Sequence, residues 1–535
     1  MTQVATPESV VAPFDGVELA SRGRQYRLSR EGDGFYVTMA DPDWEAGALA
    51  NGIDIERARP PMAKLRVVMT TGSHHMQGYW VSSNVKNMLR QVPWVYLIHD
   101  RKWVPREDIF LSPPHGHRHF AVWNDNCIVC HAVAGAPKFD LQAIKVATEV
   151  AELGISCEAC HGPGKPHWDW HTIPGRKAKG PDPVVQPARL TSKASSEVCG
   201  QCHGYFRPVD MQAFSTEGYA YRAAAGQLDK THHFITHEES KQFPSEAAYW
   251  DDGTCRVSGR EYSAQKESAC FQKGELSCLS CHSMHSADPN DLLSKGMEAN
   301  QACLQCHQEF ASKLEQHTHH PADSSGSLCY NCHMPHTTYG LLKGIRSHRI
   351  QSPRVLSGER LDHPNACNLC HLDQTLEWSA EKLSQWYGQA RPNLSDEEKQ
   401  VAASLLWLLK GDALQRVITA WHFSWPAALE ASGREWQAPF LAQLLTDDYS
   451  VIRYMAASGL AAYPEWTGMS YDYVGSRQHQ QTIQAQVVKR WSQTNREPNQ
   501  RSARLMLDAN RGTWNRERIQ ELLRRQDKRE MYLPE

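Results

Sequence analysis

The chain has 535 residues, 41% of them hydrophobic and 22% charged, with a formal net charge of −3. That composition describes a folded soluble protein of about two to four domains, and it argues against a disordered polymer or a basic nucleic-acid binder. No run approaches the ~18 apolar residues that cross a bilayer, so no membrane-spanning segment is expected.

Residues 1–105 hold no cysteine and read as a small β-rich domain. RQYRLSREGDGFYVTMAD and MAKLRVVMTTG alternate apolar and polar residues between Gly and Asp turn signals, as short strands do. In PWVYLIHDRKWVPRE the same period puts Trp94, Tyr96 and Ile98 on one face of an extended segment. The opening MTQVATPESVVAPFDG lacks the charged and apolar regions of a secretory leader.

From 106 to 375 regular periodicity fades and seven Cys-x-x-Cys-His pentapeptides appear. They are Cys127, Cys130, His131; Cys157, Cys160, His161; Cys199, Cys202, His203; Cys278, Cys281, His282; Cys303, Cys306, His307; Cys329, Cys332, His333; and Cys367, Cys370, His371. This spacing is the c-type haem attachment signature. Cysteines three apart share one face of a helical turn and can form thioethers to two vinyl groups, while the next residue's imidazole can reach the iron as proximal ligand. Zinc knuckles use two CxxC pairs per metal and need no adjoining His, and a disulfide framework suits far shorter chains. The expectation is therefore an irregular, haem-dominated cytochrome core with seven covalent c-type haems and their iron.

First cysteines follow one another at 30, 42, 79, 25, 26 and 38 residues, close enough that neighbouring haems must pack together. The 79-residue gap holds an insertion with two further cysteines, Cys255 and Cys270, which an oxidising compartment would join as a disulfide. Tyr249, Trp250, Asp251 and Asp252, just upstream, read as a turn and core edge.

Beyond 376 the pattern turns helical, giving an all-α third domain over 376–535. SDEEKQVAASLLWLLKG should be one helix capped by Ser395 and ended at Gly411. DALQRVITAWHF, REWQAPFLAQLLTD, SVIRYMAASGLAAY and QTIQAQVVKRWSQ carry apolar residues at three-to-four spacing. DDYSVIRYMAASGL resembles a HEAT repeat through Asp448, Val451, Arg453, Ala456 and Leu460, which implies HEAT- or TPR-like stacking.

CEACHGPGKPH, CLSCHSMHS, CYNCHMPHTTYGLLKGIRSHRIQSPR and HPNACNLCH together resemble multihaem c-type cytochromes of the doubled-CXXCH kind, relatives of the tetrahaem cytochrome of ammonia oxidisers. The likeness covers about residues 65–390 and implies redox function. Such proteins usually carry one further haem motif near the N-terminus, which this chain lacks.

Seven proximal histidines leave twenty of the 27 for distal positions. The resemblance favours His167, His285, His348 and His363, with His320 next. His75, His117 and His119 could serve the early haems, and His233 and His237 one near the long gap.

Three functions compete. The first is a periplasmic or extracellular relay passing electrons between redox protein partners, among them other cytochromes or a second copy of the chain. The second is an oxidoreductase acting on a small nitrogen or sulfur compound at one open haem; no CxxCK motif supports it. The third is a structural subunit of a larger haem assembly.

Overall fold

The alternating segments of the first hundred residues pair into one antiparallel sheet. Its strands are β1 (Gln3–Val4), β2 (Val17–Ser21), β3 (Arg24–Glu31), β4 (Gly34–Ala40), β5 (Met62–Thr71), β6 (Met76–Ser82), β7 (Leu89–Leu97) and β8 (Lys102–Pro105). β2 to β8 lie in sequence order, and β1 adds to β5. A helix, α1 (Pro42–Ala50), which the alternation did not announce, follows β4; the Asp41 carboxylate accepts from the Asp43 and Trp44 amides at 2.9 and 3.3 Å to start it.

The computed structural model describes residues 2–55, 57–114, 121–140, 145–177, 180–224, 226–242, 248–285, 291–356, 363–493, 503–508 and 513–533. These form two compact units: Met1–Glu107 with His117–Ile235 and Glu275–Leu279, and Asp108–Gly116 with Thr236–Gly274 and Ser280–Glu535.

In the first unit, one face of the sheet buries Leu28, Val37, Val67, Tyr79, Val81, Trp94, Tyr96 and Trp103, with Ile98 partly buried against them. Phe14 packs edge-on against Phe35, Tyr79 and Trp103 at ring separations of 5.2, 5.3 and 5.6 Å. Each such pair adds about 0.5–1.5 kcal/mol beyond burial. The register slips between Val67 and Met69 on β5. A bulge reverses the facing of every residue beyond it. Met69 therefore joins Trp80 on the opposite face, against Trp123, Ile128 and Ala132. Ile128 lies inside the first CxxCH motif, so the bulge is what docks that motif on the sheet.

Among the described residues the middle of the chain has short helices and two-residue or three-residue ribbons, such as Phe206–Pro208 with His232–Phe234 and Thr338–Gly340 with Lys343–Ile345. In the second unit the described residues after 376 are mostly helical, with one short ribbon of Leu507–Asp508 and Thr513–Trp514. Ser395 caps as expected, its hydroxyl accepting from the Glu398 amide at 3.3 Å while the Glu398 carboxylate accepts from the Ser395 amide at 2.7 Å. The single helix expected there is instead two, Asp396–Gln400 and Ala403–Leu409. Between them Val401 is extended, and the Ala402 and Ala403 amides donate to the carbonyls of Arg504 and Gln374, both at 2.9 Å. Long-range pairing of two amides outweighs local propensity here.

Helices Ala413–His422, Ala438–Leu444, Ser450–Ala461 and Arg477–Ser492 match the other four periodic segments. Val451, Ala456 and Leu460 are fully buried. Arg453 donates to the carbonyls of Asp447 and Asp448 at 2.7 and 3.0 Å, and Arg416 grips the Asp447 carboxylate with two bonds of 2.8 and 3.2 Å.

Candidate functional site

Each CxxCH run closes a tight helical turn. Helices Cys157–His161, Cys329–His333 and Ala366–Cys370 span three of them, and a π-helical turn, Trp123–Cys127, feeds the helix Ile128–His131. In the third and fifth runs the histidine amide donates to the first cysteine's carbonyl, His203 to Cys199 at 2.9 Å and His307 to Cys303 at 3.0 Å. Both sulfurs of a pair thus leave one side of the turn. After the second run, Gly162 takes φ +74°, a conformation glycine adopts freely, and turns the chain away from His161.

Thiols of different runs meet. In the first unit the Cys202 thiol donates toward Cys130 and the Cys199 thiol toward Cys278, and both donors are pushed well above the ordinary thiol pKa by that bond and then by burial. Gln201 also donates to the Ala159 carbonyl at 3.0 Å, tying the third run to the second. In the second unit the Cys303 thiol donates to Cys329, which lowers Cys329 to about 7. The Asn300 carboxamide accepts from the Cys329 amide at 2.8 Å, so the fifth and sixth runs share a hinge of one side chain. Gln305 reaches the Ser280 carbonyl at 3.0 Å, linking the fifth run to the fourth.

Three histidine pairs stand out in the second unit. The ring centres of His282 and His348 are 6.3 Å apart, those of His317 and His333 6.2 Å, and those of His320 and His371 5.9 Å, with planes 24°, 3° and 28° from parallel. Rings this far apart are not in contact. Two metal–imidazole bonds of about 2 Å plus about 1.1 Å from each nitrogen to its ring centre give roughly 6.3 Å, the separation of two imidazoles on opposite sides of one metal ion.

The other ring nitrogens are tied down. Nδ1–H donates to a backbone carbonyl from His161 (Val185, 2.6 Å), His282 (Asp291, 2.9 Å), His333 (Gln351, 3.0 Å), His320 (Thr318, 2.6 Å) and His348 (Arg346, 3.2 Å). Such a bond fixes the tautomer and leaves Nε2 as the donor to a metal. Burial lowers the pKa of His131, His333 and His371, which keeps these imidazoles neutral. Two imidazoles at this separation beside a paired-thiol turn are what covalent haem requires, so the residues present fit that group.

HTHHP offers three histidines, of which the resemblance favours His320; the structure also brings His317 to 6.2 Å from His333. The helix Leu314–Thr318 ends at His319, which is left-handed at φ +58°. That reversal sends His317 toward His333 and His320 toward His371, while His319 stacks on Trp386 at 4.2 Å. A methyl group at Gly326 would overlap the His320 ring, so this glycine keeps the ring's place.

The remaining candidates are dispersed. His75 and His285 are exposed, and His233 lies on the ribbon strand opposite Arg207. His167 Nδ1 lies 2.7 Å from the Asp182 carboxylate. His237 faces Tyr249 at 5.9 Å, and His307 is about half exposed, near Phe310. His117 and His119 lie outside the described residues.

The insertion is not a plain turn. Asp252, 4% exposed, receives Arg354 at 3.0 Å and faces His363 Nδ1 at 3.4 Å, while Arg349 donates to its carbonyl at 2.7 Å. Burial raises the Asp252 pKa, but the bond and charge of His363 and the Thr254 contacts outweigh it and hold the carboxyl well below the usual range. Trp250 lies over His363 at 5.4 Å. The disulfide expected between Cys255 and Cys270 is not formed: Cys255 is buried on a short bridge to Tyr249 with its thiol toward the Val257 carbonyl, and Cys270 lies on the helix Ala269–Lys273.

Residues 269–312, which hold the fourth and fifth runs, match the family described as Doubled CXXCH motif. The multiheme cytochrome MtrA of Shewanella baltica (strain OS185) is 23% identical over 219 residues, 40% of this chain and 46% of that protein. The chain thus spans about half the length of that curated relative. No solved structure matches.

Proposed function

We propose that this chain, a multihaem c-type cytochrome with covalently bound iron haem, carries seven haems and relays electrons between redox protein partners in the periplasm or outside the cell. The reading rests on the three histidine pairs at 5.9–6.3 Å, one for each of the runs ending in His282, His333 and His371. Haem iron supplies the one-electron redox step, and an iron held by two imidazoles offers no vacant position for a substrate.

The cysteines of all seven runs are assigned the thioether role, and His131, His161, His203, His282, His307, His333 and His371 the proximal one. His348, His317 and His320 are the distal partners of His282, His333 and His371. The other four distal positions fall to His75, His117, His119, His233, His237, His285 and His363, of which His363 is oriented by the Asp252 carboxylate. Among the described residues no helix is long and apolar enough to cross a membrane. The helical region after 376, read as a HEAT-like stack, offers a surface for a partner.

A second reading has one observation in its favour. His307 is about half exposed, with the Phe310 ring centre 6.3 Å from its own and the Glu309 carboxylate 3.9 Å from its Nδ1. An open haem there would make the protein an oxidoreductase for a small nitrogen or sulfur compound. Electron paramagnetic resonance of the oxidised holoprotein separates the two. The relay gives seven low-spin haems and no carbon monoxide binding after reduction; one stoichiometric high-spin haem that binds carbon monoxide would sink it.

A further inference from the structure

The helix Gly164–Thr172, which starts three residues after His161, carries His167 and His171 one turn apart. Their rings are 4.6 Å apart at centre, and both lean on one carboxylate: His167 Nδ1 lies 2.7 Å from Asp182 Oδ1 and His171 Nε2 lies 3.1 Å from Asp182 Oδ2. One ligand atom from each of the three lies within 4.8 Å of the others. Two ligands side by side on a metal with bonds of about 2.0–2.1 Å stand about 3 Å apart, so these nitrogen–oxygen separations are already those of a coordination sphere.

The carboxylate is held in place before any ion arrives. The Val184 amide donates to Asp182 Oδ1 at 3.1 Å, and the Trp170 indole, from the same helix, donates to the Gly180 carbonyl at 3.0 Å and anchors the loop. His171 is exposed and His167 and Asp182 are half-buried, so solvent reaches the cluster.

We infer that His167, His171 and Asp182 form a non-haem site for one divalent late transition cation. Two imidazoles and one carboxylate select zinc, copper or nickel over calcium and magnesium, which take oxygen ligands. Three protein ligands leave coordination positions open to water or an exogenous ligand. The site is wired to the second CxxCH run through its own loop: three residues beyond Asp182, the Val185 carbonyl accepts from His161 Nδ1 at 2.6 Å, and the Val185 amide donates to the His161 carbonyl at 3.2 Å. The cation's positive charge would sit on the loop that orients His161, and occupancy would then raise the potential of the haem proposed for that run.

The test is isothermal titration of the chelator-treated holoprotein with Zn2+ and, separately, Cu2+, with metal content measured after dialysis. Saturable one-to-one binding is expected. It should weaken about ten-fold or more in His171→Ala and in Asp182→Asn, and remain unchanged in His479→Ala. His171 is on the surface, and an unchanged haem-to-protein ratio verifies the fold of each variant. Redox titration with and without Zn2+ should move one haem in the wild-type chain and none in His171→Ala. Absence of saturable binding by the intact holoprotein, or equal affinity in His171→Ala, overturns the site.

Discussion

The imidazoles of His317 and His333 face each other at 6.2 Å with their planes 3° from parallel, although 16 residues separate them in sequence. His333 is fixed by its bond to the Gln351 carbonyl, so the pair's geometry depends on where the short helix Leu314–Thr318 sets His317.

If His317 and His333 hold one haem as proposed, replacing His317 by Ala would remove one of its two imidazoles. The expected outcome is one added high-spin haem per chain and one equivalent of carbon monoxide bound after reduction, with the haem count unchanged. A fully low-spin spectrum in His317→Ala would remove His317 from the axial set.

Gly326→Ala tests the neighbouring pair without touching a proposed ligand. The new methyl overlaps the His320 ring, which must turn away from His371. Weakened low-spin character at a single haem is expected, with a stability loss of about 1–3 kcal/mol from overpacking. If spectrum and melting both match the parent, the close approach does not govern the ring.

Arg346 lies over the Tyr330 ring at 4.1 Å and donates to the Tyr330 and Met334 carbonyls at 3.0 and 3.2 Å, flanking Cys332 and His333. A positive charge here favours the reduced iron. Arg346→Gln should lower the potential of one haem by on the order of 50 mV, read in a spectroelectrochemical titration. Equal midpoints in the two proteins would show that solvent screens the charge.

His422 gives the helical region a pH limit. Burial drops it from 6.5 to about 4, opposed by the bond from its Nδ1–H to the Ile418 carbonyl. Arg346 also disfavours its protonation, and His336, 6.0 Å away, is itself lowered to about 2. Below pH 6.5 the unfolded chain takes up a proton that the folded chain refuses, so stability is complete above 6.5 and falls as pH drops toward 4. His422→Leu should lessen that loss by roughly 2 kcal/mol, measured by denaturant unfolding at pH 7 and pH 4.5. Identical losses in both proteins would assign the pH dependence elsewhere.

Local signals were legible and long-range ones were not. Alternation located β3, β4, β5 and β7, because period two follows from one buried face. It could not reveal that a bulge at Val67/Met69 would turn Met69 to the other face. The Ser395 cap was readable from Ser and Glu three apart; the break at Val401 was not, since it depends on Arg504 and Gln374. The resemblance favours His348, and its ring centre lies 6.3 Å from that of His282. His317 was passed over because the left-handed turn at His319 that separates it from His320 has no sequence mark. Asp252 looked like part of a turn because its partners, Arg349, Arg354 and His363, lie about a hundred residues on.

The meeting of thiols from separate runs constrains how the molecule is made. Cys199 and Cys278 touch across 79 residues, and Cys303 and Cys329 across 26. A chain that reached this arrangement with bare sulfurs in oxidising surroundings would cross-link between runs and lock out its pigment. If every run takes its haem as proposed, maturation goes ahead of collapse, each sulfur being capped while its run is still extended, and the order of synthesis becomes part of what the finished protein can be.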